Sequence, residues 1–313
     1  MGSTKFNVIV IGTLLAAALA GPLFLSPFWV MLLTQTLIYA IAAMALDMLL
    51  GYTDLPSLGQ AGFLAVGAYT VAILSTKYHM GFVSSLFAAI GLSTATSAVL
   101  GLLALRAVGV YFLMITLAIA MIIWGLIFRW ASMTGGDNGI SGIIRPDFGF
   151  DLQNTFNFYY FILGFFIVSL FLMLLLIHSP FGKTLVGIKN SESRMRVLGY
   201  NTWLHKYLIF VIAGMFSGLA GGLYSYYNGF VSPSLSGLAH SMALVLMVII
   251  GGPGTMVGAV IGTLIIVLLE NLVSIYTERW VMVLSAVYVI TALFAPDGIM
   301  GLFRRLTRFK QAT

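Results

Sequence analysis

Long uncharged apolar runs recur along the whole chain, and they restrict its fold more than any other feature. Hydrophobic residues make up 60% of the 313 positions, and only 8% are charged. An average soluble domain has about 25% charged residues, so the charged side chains here cannot cover a water-facing surface. A soluble globule, a disordered chain and a coiled coil are therefore excluded. We predict an all-α, polytopic bundle of helices solvated by lipid.

Ten apolar runs are candidate membrane segments, since a helix needs about twenty residues to cross the hydrocarbon core. They are Phe6–Leu25, Phe28–Leu50, Ala61–Thr76, Phe82–Leu105, Val108–Phe128, Tyr159–His178, Tyr207–Tyr227, Leu238–Gly252, Val257–Asn271 and Trp280–Phe294. The third, eighth and ninth runs are short for a full crossing, and we expect broken, re-entrant or paired segments there. The sequence thus predicts about eight to ten membrane segments in a single domain covering residues 1–313.

The basic residues indicate the orientation of the bundle. With a cytosolic N-terminus, eleven of the fifteen basic residues fall inside and four outside, namely Lys77, Arg129, Arg145 and Arg279. This is the known bias of cytosolic loops toward Lys and Arg, and it places both termini in the cytosol. Lys5, the apolar run after it and Ala18-Leu19-Ala20 also resemble a cleavable signal peptide. Because that run is longer than the ~7–15 residues usual for signal peptides, we expect a retained helix.

Residue types needed for common enzyme chemistry are sparse. The chain has no cysteine, which excludes disulfides, thiolate metal sites and a thiol nucleophile. Its four histidines lack metal-ligand spacing. Gly182-Lys183-Thr184 resembles the end of a P-loop, but Ile177 stands where that motif requires glycine. We therefore expect no metal, cofactor or catalytic site in this chain, and its basic residues are too dispersed for nucleic-acid binding.

Residues 179–206 form the most highly charged inner segment, and their pattern predicts a short helix. Asn190 or Ser191 can cap the helix, Glu192 suits its positive end, and Gly199 can close it in a left-handed conformation. Its expected apolar contacts are Met195, Val197 and Leu198. Such a helix can lie on the membrane or dock into a groove on a cytosolic protein, and the residue pattern alone leaves both open.

A second polar segment, from Gly51 to Gly62, joins two apolar runs and contains Pro56. Non-helical backbone at membrane depth survives only where protein or a water-filled cavity solvates it, and broken helices often line transport pathways. Asp47, Ser57 and Gln60 are its candidate pathway residues. The alternative is a cytosolic connecting loop, with the Asp47 side chain reaching the interface.

Glycines recur at every fourth position in two stripes, which suits close helix contact. The stripes are Gly214, Gly218 and Gly222, and Gly254, Gly258 and Gly262. Plain packing is the simpler explanation, and sliding of helices during gating is the alternative.

Glu270 is a rare acidic residue at the outer end of an apolar run, where we expect pairing with Arg279 or solvation. A proton-driven carrier would prefer a mid-membrane carboxylate with a partner. None is evident, which weighs against ATP-independent transport.

Several motifs, in this order along nearly the whole chain, carry a family resemblance. They are Ser57–Ala61 with Val66–Tyr69, Thr134–Gly136 with Gly139–Ile140, Ser179–Lys183, Leu198–Asn201, Ser217–Tyr224, Gly229–Pro233 and Gly251–Thr255. The chain resembles the LivM-type permease subunits of ABC importers for branched-chain amino acids.

The resemblance implies partners and site residues. The chain would be half of a translocation pathway in the lipid of a bacterial inner membrane, paired with a homologous LivH-type permease. Two cytosolic ATPases would hold ATP and Mg²⁺ and bind the coupling loop. A periplasmic binding protein would deliver the solute on the side of Gly136, Asp137 and Asn138. The residues expected to contact an ATPase are Lys189, Asn190, Ser191, Glu192, Arg194, Arg196, Leu198 and Gly199.

Some positions depart from the family pattern. Gln60 stands where His or Tyr is common, Asp54 where Gly is common, and residues 238–242 also differ. Similar permeases carry urea, short amides or aromatic acids, so the solute stays open. An ATP-independent carrier or channel is the alternative function, and a membrane enzyme is a third.

Overall fold

The protein is almost entirely helical. The structure is a computed structural model that describes residues 18–19, 21–23, 25–146, 151–276, 282, 286 and 298–299. The helices are α1 Pro27–Thr53, α2 Gln60–Thr76, α3 Phe82–Ala104, α4 Val110–Arg129, α5 Ala131–Thr134, α6 Thr155–His178, α7 Pro180–Asn190, α8 Glu192–Val197, α9 Thr202–Asn228, α10 Leu238–Gly251 and α11 Met256–Tyr276. Two-residue strands β1, Ile140–Ser141, and β2, Phe230–Val231, pair in antiparallel fashion.

The expected all-α membrane bundle is confirmed. Within the described residues, α1, α3, α4, α6, α9 and α11 are long and apolar enough to cross a membrane. The shorter α2 and α10 have 17 and 14 residues, as expected for the third and eighth runs. The ninth run was expected to be short, but α11 extends over 21 residues because the helix continues past Asn271 to Tyr276. The predicted segments Phe6–Leu25 and Trp280–Phe294 lie almost wholly outside the described residues.

Helix α9 lies at the centre of the bundle and packs against α1, α2 and α3. Its first glycine stripe makes this contact, since a Cβ on Gly218 would meet the side chain of Ser93, and one on Gly67 would meet the backbone of Gly218. The Ser93 hydroxyl donates to the carbonyls of Phe63, at 3.1 Å, and Gly214, at 2.9 Å. The stripe is therefore a packing surface between helices.

The second stripe is only partly helical. Gly258 and Gly262 belong to α11, where added Cβ atoms would meet the backbone of α10 at Gly251 and Met247. Gly254 lies instead in the turn before α11, with φ +81°. The repeated spacing therefore describes one close helix pair and one turn rather than a continuous helical stripe.

Two sets of long-range contacts lie at opposite ends of the bundle. At one end, Lys77 Nζ donates to the Ser132 carbonyl at 2.5 Å, and β1 pairs with β2. At the other end, Lys189 Nζ donates to the Gly51 carbonyl at 2.7 Å.

Helix α10 begins inside the bundle rather than at its end. The turn Pro233–Ser236 before it has buried Pro233, Leu235 and Ser236. The Ser236 hydroxyl donates to the Ala120 carbonyl at 2.9 Å, and Ala120 lies halfway along α4. The chain therefore dips about half the depth of a spanning helix before α10 starts, as expected for a re-entrant segment.

Candidate functional site

The inner charged segment folds into two consecutive helices, α7 and α8. Ser191 caps the six-residue α8, and its hydroxyl accepts from the Arg194 N–H at 3.4 Å. Gly199 then adopts φ +86°, and the Tyr200 N–H bonds to the Met195 carbonyl at 3.1 Å. The predicted helix cap, short helix and closing glycine are all present in the structure.

Glu192 ties α8 to the start of α9. Its carboxylate accepts from Arg196 Nη2 at 2.6 Å, from the Thr202 hydroxyl at 3.1 Å, and from Lys206 Nζ. Partial burial alone would raise the pKa of Glu192, but the hydrogen bonds from Lys206 and Arg196 outweigh it and lower that pKa. The segment is thus held in a fixed shape by one carboxylate.

The three apolar residues in and just after α8 differ in exposure. Met195 packs inward, and a Cβ on Gly187 would meet its sulfur at 2.7 Å. Val197 and Leu198 are 88% and 70% exposed, so the contacts expected of them with the membrane or a cytosolic protein stay predictions. The helix is too short to bury both of its sides against this chain, so an apolar pair faces outward beside Arg194 and Arg196.

Lys189 connects the charged segment to the core. Its ammonium group bonds to the carbonyl of Gly51 near the end of α1, and Gly51 packs so closely on Gly254 that a Cβ there would clash with the Gly254 backbone. The neighbouring Asp47 accepts a 2.7 Å hydrogen bond from the Gly254 N–H. Three distant parts of the sequence therefore meet at the end of α1.

The predicted pathway residues are buried in protein. Asp47 is 0% exposed, so its side chain does not reach the interface as one alternative held, and Ser57 and Gln60 are each 1% exposed. Gln60 Oε1 accepts from the Ser217 hydroxyl at 2.6 Å, and Ser57 Oγ accepts from the Gly59 N–H at 3.2 Å. Gln60 thus joins α2 to α9, Ser57 bonds within the loop before α2, and their place on a pathway stays a prediction.

The segment between α1 and α2 is non-helical, as predicted. Asp54 ends α1 in a left-handed conformation, with φ +57°, and α2 starts at Gln60. Leu55 and Leu58 are buried, and the Leu58 N–H bonds to the Thr116 hydroxyl of α4 at 3.1 Å. Protein therefore solvates this stretch of backbone.

The outer loop is compact. Gly136, Asp137 and Asn138 form a 3-10 turn in which Asp137 and Asn138 are exposed. The Thr134 hydroxyl anchors the turn by donating to the carbonyls of Ile127, at 2.5 Å, and Trp130, at 2.9 Å. A cavity of about 830 Å³ opens on the same side of the bundle, between the facing ends of α2 and α3 and the chain after β1.

The contacts of Arg145, in the chain between β1 and α6, were not anticipated from the sequence. Arg145 lies 4.3 Å from the Phe158 ring centroid, measured from Cζ, and its Nη1 donates to the Gln153 carbonyl at 3.1 Å. Burial lowers the pKa of Arg145. Arg145 therefore fastens the loop to the start of α6.

A polar cluster inside the bundle was also missed. Tyr39 of α1, His240 of α10 and Glu270 of α11 line one small cavity, and the Tyr224 ring of α9 lies 5.7 Å from that of Tyr39. Glu270 was expected at the outer end of its helix, but α11 continues for six residues beyond it. Arg279, its expected partner, lies outside the described residues. The only indication of this cluster in the sequence was the presence of rare ionisable residues in apolar runs.

The described residues hold no group of three or more His, Cys, Asp or Glu that could bind a metal ion.

Comparisons with known proteins agree with the architecture. The family model for the permease component of branched-chain amino acid transport systems matches residues 28–293. The high-affinity branched-chain amino acid transport system permease protein LivM of Salmonella typhimurium is 30% identical, over 99% of this chain and 78% of its own length. LivM of Escherichia coli gives the same identity and coverage. The corresponding LivH protein of Escherichia coli is 31% identical over 44% of each chain.

No solved structure matches the chain. The family model covers well over half of the chain, and the two LivM relatives cover nearly all of it. Their descriptions are of transport subunits rather than enzymes. The chain therefore belongs to the family of permease components of branched-chain amino acid transport systems, and it is a multi-pass membrane permease subunit of an ABC importer.

Proposed function

We propose that this chain forms half of the translocation pathway for branched-chain amino acids in a bacterial cytoplasmic membrane. A LivH-type permease is its partner, because LivM-type and LivH-type relatives both match the chain. Two cytosolic ATPases carrying ATP and Mg²⁺ and a periplasmic binding protein complete the assembly. The whole chain is one domain with about ten membrane segments, and both termini are cytosolic.

The connection from Lys189 to Gly51 is the observation that carries the coupling part of this proposal. A segment that receives a motion from an ATPase must pass it to the membrane helices. Lys189 contacts the end of α1 directly, and the Asp47–Gly254 hydrogen bond continues the connection to the turn between α10 and α11. The pathway helices are thereby linked to residues 189–199.

The exposed part of α8 supports docking to a cytosolic protein rather than folding back on this chain. Val197 and Leu198 form an apolar pair with high exposure, and Arg194 and Arg196 are also exposed. An apolar centre with charged neighbours is the pattern of a protein interface. The Glu192 network holds this surface in shape before the partner arrives.

On the outer side, the exposed Asp137 and Asn138 and the nearby cavity support contact with the binding protein. Three glycines with positive φ, Gly135, Gly136 and Gly139, shape the turn. A Cβ on Gly139 would clash with the Val231 carbonyl, so the turn is fixed against β2 and presents one conformation to a partner.

Reconstitution in proteoliposomes tests the proposal. The chain, its partner permease, two ATPases and binding protein together are expected to give ATP-dependent leucine uptake, and the chain alone is expected to give none. Leucine uptake by the isolated chain without ATP would support a carrier or channel instead.

A double variant tests the coupling surface. Glu192→Ala with Arg196→Ala should insert normally but lose stimulation of ATP hydrolysis by the loaded binding protein, because the network holding α8 is gone. Copurification of the ATPases shows whether docking is lost as well. Normal stimulated hydrolysis in the double variant would remove α8 from the coupling surface.

A further inference from the structure

We propose that Glu270, with Tyr39 and His240 around it, binds the ammonium group of the transported solute. This inference rests on the proposed function and names the chemistry that the pathway recognises. It selects an ammonium-bearing solute over urea or a neutral amide. The site lies where α1, α9, α10 and α11 meet inside the bundle.

The depth of the cluster is the first argument. Tyr39 lies near the middle of α1, and Glu270 lies about two thirds along α11, well inside the helix. His240 is in the first turn of α10, which begins at the level of Ala120, halfway along α4. Transport sites commonly lie near the midplane, at helices that are broken there.

The lack of a cationic partner for Glu270 among the described residues is the second argument. A carboxylate at membrane depth is costly and normally faces a partner or a water-filled space. In the described part of the chain Glu270 forms no salt bridge, and no lysine or arginine lines its cavity. The cavity that a described cation would have to fill is thus lined by none, which suits a cation supplied by the solute.

The aromatic neighbours are the third argument. Tyr39 is 6% exposed and lines the same cavity as Glu270, and the Tyr224 ring lies with its centroid 5.7 Å from that of Tyr39. Tyrosine offers a hydroxyl acceptor and a ring face, and both attract an ammonium group. The apolar residues of the cavity, Ala243, Leu244 and Met247, suit a branched aliphatic side chain.

The cavity in this conformation is closed to solute. Its volume is about 10 Å³, enough for about one water molecule. Entry of an amino acid requires α10 to move away from α1 and α11. The turn of Gly252 and Gly254 that ends α10 is joined to Asp47, so the same turn links this site to the coupling segment.

Equilibrium leucine binding tests the site. The probe is radiolabelled leucine, and the sample is the permease–ATPase complex in lipid nanodiscs without binding protein. Isopentylamine, which keeps the ammonium group, should displace leucine better than 4-methylpentanoate or urea. Glu270→Gln should weaken leucine binding about tenfold or more, because a charged hydrogen bond is lost, whereas Glu270→Asp should retain most of it.

Two controls separate binding from folding. Asp54→Asn removes one exposed carboxylate and should bind leucine as the parent does. If Glu270→Gln does not fold, Tyr39→Phe removes only a hydroxyl and should still weaken leucine and isopentylamine alike. Thermal unfolding of each variant shows that the complex is intact.

Several outcomes would overturn the inference. These are no leucine binding by the parent complex, unchanged binding in Glu270→Gln, or 4-methylpentanoate displacing leucine better than isopentylamine. An equal loss in Arg279→Gln would make Glu270 an ion-pair partner instead. Absence of ATP-dependent leucine uptake by the parent importer would contradict the proposed function itself, whereas normal uptake and binding in Glu270→Gln would contradict only this site.

Discussion

Asp47 and Gly254, which are 207 positions apart in the sequence, are joined by a 2.7 Å hydrogen bond from the Gly254 N–H to the Asp47 carboxylate. The side chain is fully buried, and its other oxygen has no hydrogen-bond partner among the residues that the structure describes. A buried carboxylate is costly unless it is well hydrogen-bonded. The contact therefore holds the turn between α10 and α11 at the end of α1, on the side of the bundle where Lys189 also binds.

Asp47→Ala should destabilise the protein by about 1–3 kcal/mol, because it leaves the Gly254 N–H without its acceptor. Asp47→Asn keeps an acceptor oxygen and should cost less. Thermal unfolding of the purified chain measures both changes, and Asp54→Asn, at an exposed turn, is the control. Equal losses in the Ala and Asn variants would mean that the charge, not the hydrogen bond, holds the turn.

Lys189→Met should reduce leucine uptake per ATP hydrolysed by about tenfold, the factor expected for losing a hydrogen bond from a charged donor. Methionine keeps the apolar stem but cannot donate to the Gly51 carbonyl. Uptake and hydrolysis are measured together in proteoliposomes.

Lys183→Met is the matched control, since Lys183 is an exposed lysine of the same helix. It should leave the ratio of uptake to hydrolysis unchanged. Equal effects of the two substitutions would assign the loss to the general charge of α7 and not to the contact with α1.

Glu192 gives residues 191–199 a stability that depends on pH with a defined sign. Its folded pKa lies below the ordinary value, which is about 4.3. The contribution of ionised Glu192 to the stability of this segment is therefore complete above the unfolded pKa. It is lost as the pH falls through the lowered folded pKa. We expect residues 191–199 to stay protected from hydrogen exchange to a pH below that of an ordinary carboxyl.

Lys206→Met should move this loss to a higher pH, since it removes a hydrogen bond that lowers the pKa of Glu192. Hydrogen exchange of residues 191–199, corrected for its intrinsic pH dependence, measures the shift, with Lys183→Met as control. A transition at the same pH in the Lys206 variant would show that the network does not set the stability of α8.

The motifs with local causes were predictable from sequence. The cap at Ser191, the left-handed Gly199 and the break between Thr53 and Gln60 follow from rules that act within a few residues. The role of Asp47 was not predictable, because its acceptor function depends on Gly254, which only the fold brings near. The cluster around Glu270 likewise combines residues from four helices. The contacts expected of Val197 and Leu198 with a membrane or a cytosolic protein stay predictions, because both side chains are exposed on this chain.

Gly218→Leu should prevent close packing of α9 and destabilise the bundle by about 1–3 kcal/mol or more, because a Cβ there already meets Ser93. Gly164→Leu is the matched control in another spanning helix, since nothing lies within 4 Å of a Cβ at Gly164. That position is exposed, so the control should unfold at the temperature of the parent or above it, as leucine favours helix over glycine. Thermal unfolding and copurification of the LivH-type partner measure both variants. If Gly218→Leu copurifies with the LivH-type partner and unfolds at the same temperature as Gly164→Leu, then the stripe on α9 faces lipid. In that case α9 is not the central helix of the bundle.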